Sequence, residues 1–458
     1  MTVDTKPVRS RWLMAAVAMA LFCVQVDYFA MNLALPRMAT DFGSTATDLQ
    51  WIISIYMVTL GAFMVPAGRL ADIFGRKRAL LIGIAVFGFA SLLCTIAPSA
   101  ATLVGFRALQ GVGAALIFPA SVSVITNAFP PHQASRMIGL AYGIAGLGNA
   151  AGPLIGGLLT QTLGWRWIFA LNIPLTAACA IIGVVVIRES RDPDAPRRID
   201  LAGLALLTSG IAVFTLAFDR APAWGWRSPA TLGALTGALF MLAAFVIVER
   251  RVRWPLVDLS LVRNIRFTVL VVAGTVANIA YGVTIFLSTV YLQDGRGLDP
   301  LAAGLVFLGP SAGAAAGGVL SGRLAAGHPV RVMGITTVLA AVSLGLLASA
   351  HDWALYVPAL TACGFTLGLV YAFTTVATQA VVSPQRAGEA AGIALTAMIA
   401  MGGVGVAVAA TMLERLHASG MPIGDGVSVI LAVLAAALLP AGLLVLGVSA
   451  RTAPSVHT

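Results

Sequence analysis

Gly68-Arg69-Leu70-Ala71-Asp72-Ile73-Phe74-Gly75-Arg76-Lys77-Arg78 joins two long apolar runs, residues 50–70 and 79–97. A basic cluster between two such runs is what a loop on the positive side of a membrane carries. That accounts for the arginines but not for Asp72, an acid inside the cluster. Asp72 and Arg76 are four residues apart and can pair if the segment is helical. Gly68 and Gly75 let the segment lie close against another helix.

The flanking sequence supports the membrane reading. The chain has 458 residues, of which 59% are hydrophobic and 10% charged. Its mean hydropathy is +0.94. A soluble domain carries about 25% charge, which excludes that class. A spanning helix needs about 20 apolar residues. Fourteen runs meet this, at residues 12–35, 50–70, 79–97, 101–127, 136–162, 167–187, 200–218, 229–249, 266–292, 302–325, 330–350, 354–381, 388–413 and 427–449. No ten-residue alternation suggests a barrel. The expected fold is an all-α polytopic membrane protein with 14 transmembrane helices.

Basic residues set the orientation. With the N-terminus inside, cytoplasmic segments hold 21 of the 28 Lys and Arg. The outer segments hold Arg37, Arg166, Arg220, Arg227, Arg296 and Arg415, and Arg107 lies within a span. Both termini are therefore expected in the cytoplasm, with the protein in the cytoplasmic membrane. The net charge of +10 reads as topology, and no nucleic-acid partner is expected. The first run lacks a small-residue cleavage site and reads as a retained helix. Cys23, Cys94, Cys179 and Cys363 are scattered singly inside spans, without disulfide or metal spacing.

The longest polar stretches, Arg188 to Asp200 and Glu249 to Arg266, flank the pair of runs at 200–249. The two sides of that pair echo each other. Gly322-Arg323-Leu324-Ala325 follows Gly68-Arg69-Leu70-Ala71 by 254 residues, and Arg386 follows Arg136 by 250. Two six-helix repeats around an inserted pair give such offsets, with any site between them at midplane. The expected division is 1–190, a six-helix bundle; 191–262, an inserted pair with its linkers; and 263–458, a second six-helix bundle.

Two charges interrupt the apolar runs. A carboxylate in hydrocarbon is costly unless paired, hydrated or protonated, so Asp27 in the first run marks a functional site. Arg107 in the fourth run lies at a similar depth below the outer loop, and the two form a candidate pair. In the fifth run Gly148, Gly152 and Gly156 are spaced by four, one face of small residues for close packing. Gly157 adjoins them, and Pro153 removes a backbone hydrogen bond. Asn32, Trp51, Tyr56, Gln110, Asn278, Tyr281 and Tyr371 are polar or aromatic positions inside spans. As a group they suggest an aromatic, weakly polar cavity.

The stretch 68–78 resembles the loop signature of the major facilitator superfamily. The resemblance implies that Arg69, Asp72 and Arg76, with Gly68 and Gly75, latch two halves of the molecule on the cytoplasmic side. It also implies a proton-transfer role for Arg107. Gly148-Asn149-Ala150-Ala151-Gly152-Pro153-Leu154-Ile155-Gly156-Gly157 is similar to the antiporter motif of exporting members. Asp27-Tyr28-Phe29-Ala30-Met31-Asn32-Leu33-Ala34-Leu35-Pro36 and Gly164-Trp165-Arg166-Trp167-Ile168-Phe169-Ala170-Leu171-Asn172-Ile173-Pro174, with the fourteen runs, resemble the fourteen-helix drug:proton antiporters. Tyr291-Leu292-Gln293 and Leu301-Ala302-Ala303-Gly304-Leu305 extend the likeness.

The function this implies is proton-coupled export of a lipophilic drug, dye or antibiotic by a monomer in the bilayer, with the proton as coupling ion and no other cofactor. Protonation of Asp27 and binding of a lipophilic substrate would compete. Asp219 reads as a loop residue and Glu389 as the start of the thirteenth run. Export of one small metabolite and a non-transporting scaffold are the competing readings. An enzyme is the weakest, since no metal cluster, nucleophile–base pair or GxxxxGK[ST] sequence is present.

Overall fold

The structure is a computed structural model describing residues 7–44, 49, 51–191, 200–253, 255–257, 259–298, 300–324 and 328–450. It is helical throughout, as an apolar environment demands: backbone groups that lipid cannot satisfy must be paired within the segment. In chain order the helices are α1 (Pro7–Phe42), α2 (Trp51–Phe74), α3 (Arg76–Thr95), α4 (Ala100–Ala128), α5 (Pro131–Thr162), α6 (Arg166–Val186), α7 (Leu201–Trp224) and α8 (Pro229–Glu249). A short turn, Leu259–Arg263, leads into α9 (Ile265–Val290). Then follow α10 (Pro300–Leu324), α11 (Pro329–Ala348), α12 (Trp353–Ala380), α13 (Ala387–Ala418) and α14 (Ile423–Ala450). Thirteen of them are long and apolar enough to span a bilayer, and α5, bent by 41° between 133–149 and 154–162, makes a fourteenth.

Local sequence sets the helix ends. Ser99 and Thr102 form a reciprocal capping box on α4, and Asp200, Asn264 and Asp352 cap α7, α9 and α12 through their side chains. Ser228 does the same for α8, with Pro229 at the first helical position. Two ends differ from expectation. α1 continues six residues past Pro36, so Asp27 lies well inside the helix rather than close to an outer loop. α7 continues to Trp224, so Asp219 and Arg220 are helical residues and not loop residues.

The packing repeats with an offset of eight helices. In the first set α1 packs on α5, α2 and α3 on α4, and α3 on α6. In the last set α9 packs on α13, α10 and α11 on α12, and α11 on α14. The sets meet along a seam that is itself two-fold: α2 against α13, and α10 against α5. Helices α7 and α8 pair with each other, and α7 leans on both α2 and α13. Small residues bring the backbones together at the seam. A Cβ on Gly388 would lie 2.6 Å from the Gly68 carbonyl oxygen, and one on Gly318 would lie 2.6 Å from Gly143 Cα.

Candidate functional site: a buried charge network and a latch

Asp27 and Arg107 form an ion pair, and both are fully buried. α1 carries the acid. α4 carries the arginine two turns in from its capping box, with Gln110 one turn further. Asp27 Oδ2 accepts from Arg107 Nη1. Its Oδ1 accepts from Gln110 Nε2 at 3.0 Å and from Asn172 Nδ2 of α6 at 2.8 Å. Arg107 Nη1 also donates to Gln110 Oε1 at 2.6 Å, and Nε donates to the Ile52 carbonyl of α2 at 3.1 Å. Gln110 Nε2 donates to Ser91 Oγ of α3 at 2.8 Å. The guanidinium lies over the Tyr56 ring, 4.2 Å from its centre, a favourable arrangement for a desolvated cation. Arg107 Nη2 makes no hydrogen bond among the described residues.

Such a network answers the cost of burying charge. An isolated ion in a low-dielectric interior is prohibitive, and burial is tolerated only with a counter-charge and a full set of hydrogen bonds. Asp27 has both. Every partner comes from α1–α4 or α6, so the pair sits inside the first six helices. The expectation of a site between the repeats is corrected. The reason is steric: Gly148, Gly152 and Gly156 draw α5 onto the face of α1 opposite Asp27, which leaves Asp27 turned toward α4 and α6. A Cβ on Gly152 would lie 2.6 Å from Phe29 Cβ, and one on Gly156 2.5 Å from the Ala30 carbonyl oxygen. Gly157 adjoins this contact, half-buried. The side chain of Pro153 lies outside the described residues.

The other face of α1 belongs to the seam. Gln25, two residues before Asp27, is rotated by about 200° from it. It donates to Asn149 Oδ1 of α5 at 2.7 Å. Asn149 in turn lies close to the Tyr281 hydroxyl of α9. Tyr371 of α12 lies near Tyr281 and packs edge-on against Tyr142 of α5, ring centres 5.6 Å apart. Gln25, Tyr142, Asn149, Tyr281 and Tyr371 thus form one polar and aromatic cluster joining the two six-helix sets.

The expected cavity residues therefore do not form one group. Tyr281 and Tyr371 are in this cluster, whereas Tyr56 and Gln110 belong to the charge network. Asn278 is tied to the Met398 carbonyl at 2.7 Å. Trp51 lies under the Arg220 guanidinium, 3.7 Å from the ring centre, and Ser54 donates to Asp219 at 2.9 Å. These last contacts fasten α7 to α2. The side chain of Asn32 lies outside the described residues. Asn172 was part of an interfacial aromatic stretch by sequence; its place one helical face from Asp27 is a tertiary fact.

A second constellation closes one end of the seam. Arg76 Nε donates to Asp72 Oδ1 at 2.9 Å, and the Glu389 amide of α13 donates to Asp72 Oδ2 at 2.9 Å. Arg76 Nη2 reaches the carbonyls of Pro384 at 3.3 Å and Gln385 at 2.7 Å. Arg69 pairs with Glu389 at 3.6 Å. Glu389 is fully buried, not a solvated helix start, because α2 and α13 cross here with Gly68 on Gly388. Gly75 has φ +123°, and a Cβ there would lie 2.5 Å from the Glu189 carboxylate, which accepts from the Lys77 and Arg78 amides at 3.1 and 3.2 Å. Arg69, Asp72 and Arg76 thus bind the two six-helix sets together.

Residues 17–406 match the family model described as Major Facilitator Superfamily. The chain belongs to the major facilitator superfamily. Within it, the chain is 32% identical over 409 residues to the tetracenomycin C resistance and export protein of Streptomyces glaucescens, covering 87% of this chain and 75% of that one. It is 33% identical over 405 residues to the multidrug resistance protein Stp of Mycobacterium tuberculosis, covering 87% and 75%. It is 34% identical over 414 residues to the puromycin resistance protein pur8 of Streptomyces alboniger, covering 88% and 82%. The fold is also similar to the crystal structure of the human organic anion transporter MFSD10 (TETRAN), with TM-score 0.69 at 14% identity, covering 96% of this chain and all of that one. These curated relatives are named for drug or antibiotic resistance, and this chain is a multi-pass membrane transporter of the superfamily.

Proposed function

We propose that the protein is a proton-coupled antiporter that exports lipophilic drugs or antibiotics from the cytoplasm, with Asp27 as the proton site and the seam cluster as the substrate contact. The observation that carries this is the carboxylate of Asp27, buried in the membrane interior against Arg107. A purely structural helix contact gains nothing from a desolvated ion pair that apolar residues would replace at equal or better stability. Intramembrane ionisable pairs instead mark proton and ion pathways. The basic end of the bundle faces the cytoplasm in this reading. The relatives' names support small, apolar, antibiotic-type substrates, and the cluster of Tyr142, Tyr281 and Tyr371 suits them: aromatic faces with few fixed hydrogen-bonding groups. The division into 1–190, 191–262 and 263–458 follows the packing offset. Export of a single metabolite would require more directed donors than this cluster offers.

When Asp27 is ionised, its charge holds α1 against α4 and α6. Protonation removes the charge that Arg107 balances. The guanidinium then keeps Ile52, Gln110 and Tyr56, none of them on α1, and α1 is released. A proton entering down its gradient, with about 2.3 kcal/mol per charge per 100 mV, thereby loosens the helix that also presents Gln25 to the substrate cluster. The test is ethidium and puromycin uptake into everted vesicles with an imposed proton gradient, which reads export because the cytoplasmic face points outward. Wild type should transport, and an uncoupler should stop it. Asp27→Asn, folded and inserted, should lose gradient-driven efflux. Wild-type efflux by Asp27→Asn, or efflux indifferent to the uncoupler, would overturn the proposal.

A further inference from the structure

The seam has an outer surface as well as an interior. Between α5, α10 and α12 lies a groove of about 530 Å³ lined by Gly143, Leu147, Ala312, Val319, Phe365 and Arg323, among others. Its walls are almost wholly apolar, and it opens outward: Leu147 is 48% and Val319 40% exposed, on a bundle whose outer side faces lipid. Its floor is shut. Gly143 meets Gly318 and Gly146 meets Ala315 backbone to backbone, so the groove does not communicate with the interior cluster.

Length and charge identify the occupant. From Ala312 to Arg323 α10 rises about 16 Å at 1.5 Å per residue, close to half of a hydrocarbon core of about 30 Å. One end of the groove is therefore near midplane. The other is at the depth where α10 stops, at Leu324. Arg323 is exposed there. On the opposite wall, exposed Arg136 precedes Gly143 by seven residues, two turns, and so shares its face of α5. Arg323 thus lines the polar end of a slot one leaflet long, and Arg136 stands on the facing helix, two turns from Gly143 toward that same end. We infer that the groove holds an acyl chain of an anionic phospholipid whose phosphate is bound by Arg323 and Arg136, making the seam between the two six-helix sets a lipid-binding site. Basic pockets between membrane helices recognise anionic headgroups by this chemistry. Since the chain touches both sets, it favours the closed arrangement of α5 on α10.

The full chain is reconstituted into vesicles of phosphatidylethanolamine with phosphatidylglycerol, re-extracted in mild detergent, and its retained lipid measured by native mass spectrometry. Wild type should retain phosphatidylglycerol at least tenfold over its share of the vesicle. Arg136→Ala with Arg323→Ala should abolish that preference. Ala316→Leu, which fills the groove and leaves both arginines, should lower total retained lipid. Arg331→Ala, an exposed arginine at the start of α11, should change nothing. Equal retention of both lipids by wild type, or an equal loss in Arg331→Ala, would overturn the inference. So would displacement of the lipid by puromycin at transport concentrations, which would make the groove a substrate site. The readout is lipid retention, so it stands or falls apart from proton coupling.

Discussion

Replacing Gly388 with alanine tests whether the two six-helix sets lock where α2 crosses α13. The added methyl would lie 2.6 Å from the Gly68 carbonyl oxygen, 2.8 Å from Asp72 Oδ2 and 2.8 Å from Ser123 Oγ. Two of these atoms are fixed, the carbonyl by its helix and the carboxylate by Arg76. The helices must part by most of an ångström. That stretches the bond from the Glu389 amide to Asp72, now 2.9 Å, and the one from Arg76 to Gln385, now 2.7 Å. Overpacking costs about 1–3 kcal/mol, and a hydrogen bond to a charged group is worth about 1.5–3 kcal/mol. Helix propensity, about 1 kcal/mol in favour of alanine, is common to the closed and open forms and cancels between them. With the bonds stretched rather than lost, the cost is about 3 kcal/mol against the closed latch, or about a hundredfold in its equilibrium with an open form. Spin labels at the exposed positions Phe74 and Gln385 report the opening by pulsed EPR. The distance distribution should move to longer values, with slower efflux. Gly233→Ala, where nothing lies within 4 Å, is the control for propensity. An unchanged distribution and wild-type efflux in Gly388→Ala would refute the reasoning.

Arg107→Lys keeps the charge but cannot reach Ile52, Asp27 and Gln110 together; dye efflux at matched expression should fall at least tenfold. Asn172→Leu leaves one acceptor position of Asp27 empty at a cost of about 1.5–3 kcal/mol, and should impair efflux without preventing membrane insertion. Gly156→Val drives a side chain into Ala30 and should lower the thermal unfolding midpoint in detergent, whereas Gly237→Ala, with open space around it, should not. Arg69→Gln should weaken the latch more than Glu389→Gln, because it strands a fully buried carboxylate whereas Arg69 is partly exposed. The double variant should be no worse than Arg69→Gln alone, as read by the same EPR distance.

The helices were legible because lipid permits little else: long apolar runs must pair their own backbone groups. Asp27 and Arg107 were legible for the opposite reason, as charges where charge is costly. Their partners were not. Asn172 is uncharged and sat in a stretch rich in tryptophan, and only the rotation of α6 against α1 turns it to Asp27. The apolar run stops at Phe218, yet α7 continues through Pro222 to Trp224, since helices in apolar surroundings tolerate proline near their ends. Ser54 and Trp51 hold this last stretch against α2 through the side chains of Asp219 and Arg220. Glu389 reads as a helix start beside Arg386, and its burial follows from the crossing of Gly68 and Gly388, an encounter of residues 320 apart. Tyr56 and Tyr281 look alike in sequence, and only the directions of α2 and α9 assign one to the charge network and the other to the seam.

Those directions also explain how a sealed charge site acts at a distance. α2 carries the Ile52 carbonyl and Tyr56 at the network and Gly68 and Asp72 at the latch, sixteen residues and about 24 Å apart along one helix. Pro66 is the one proline between them, a point of bending rather than of fracture. Arg107 therefore grips α2 at one end while Arg76 and the Glu389 amide hold it at the other. α1 stands beside it with Asp27 on one face and Gln25 on the other. A change in the charge of Asp27 cannot remain local, because the same guanidinium that balances it is also bonded to α2. Loosening α1 shifts the load onto Ile52 and Tyr56, and α2 meets α13 through contacts too close to absorb a tilt: Gly68 on Gly388, and Thr396 Oγ1 on the Gly61 carbonyl at 3.3 Å. Interfaces packed that tightly hold or part, so under the proposed coupling a proton at Asp27 and a closed latch would be alternatives set by a single helix.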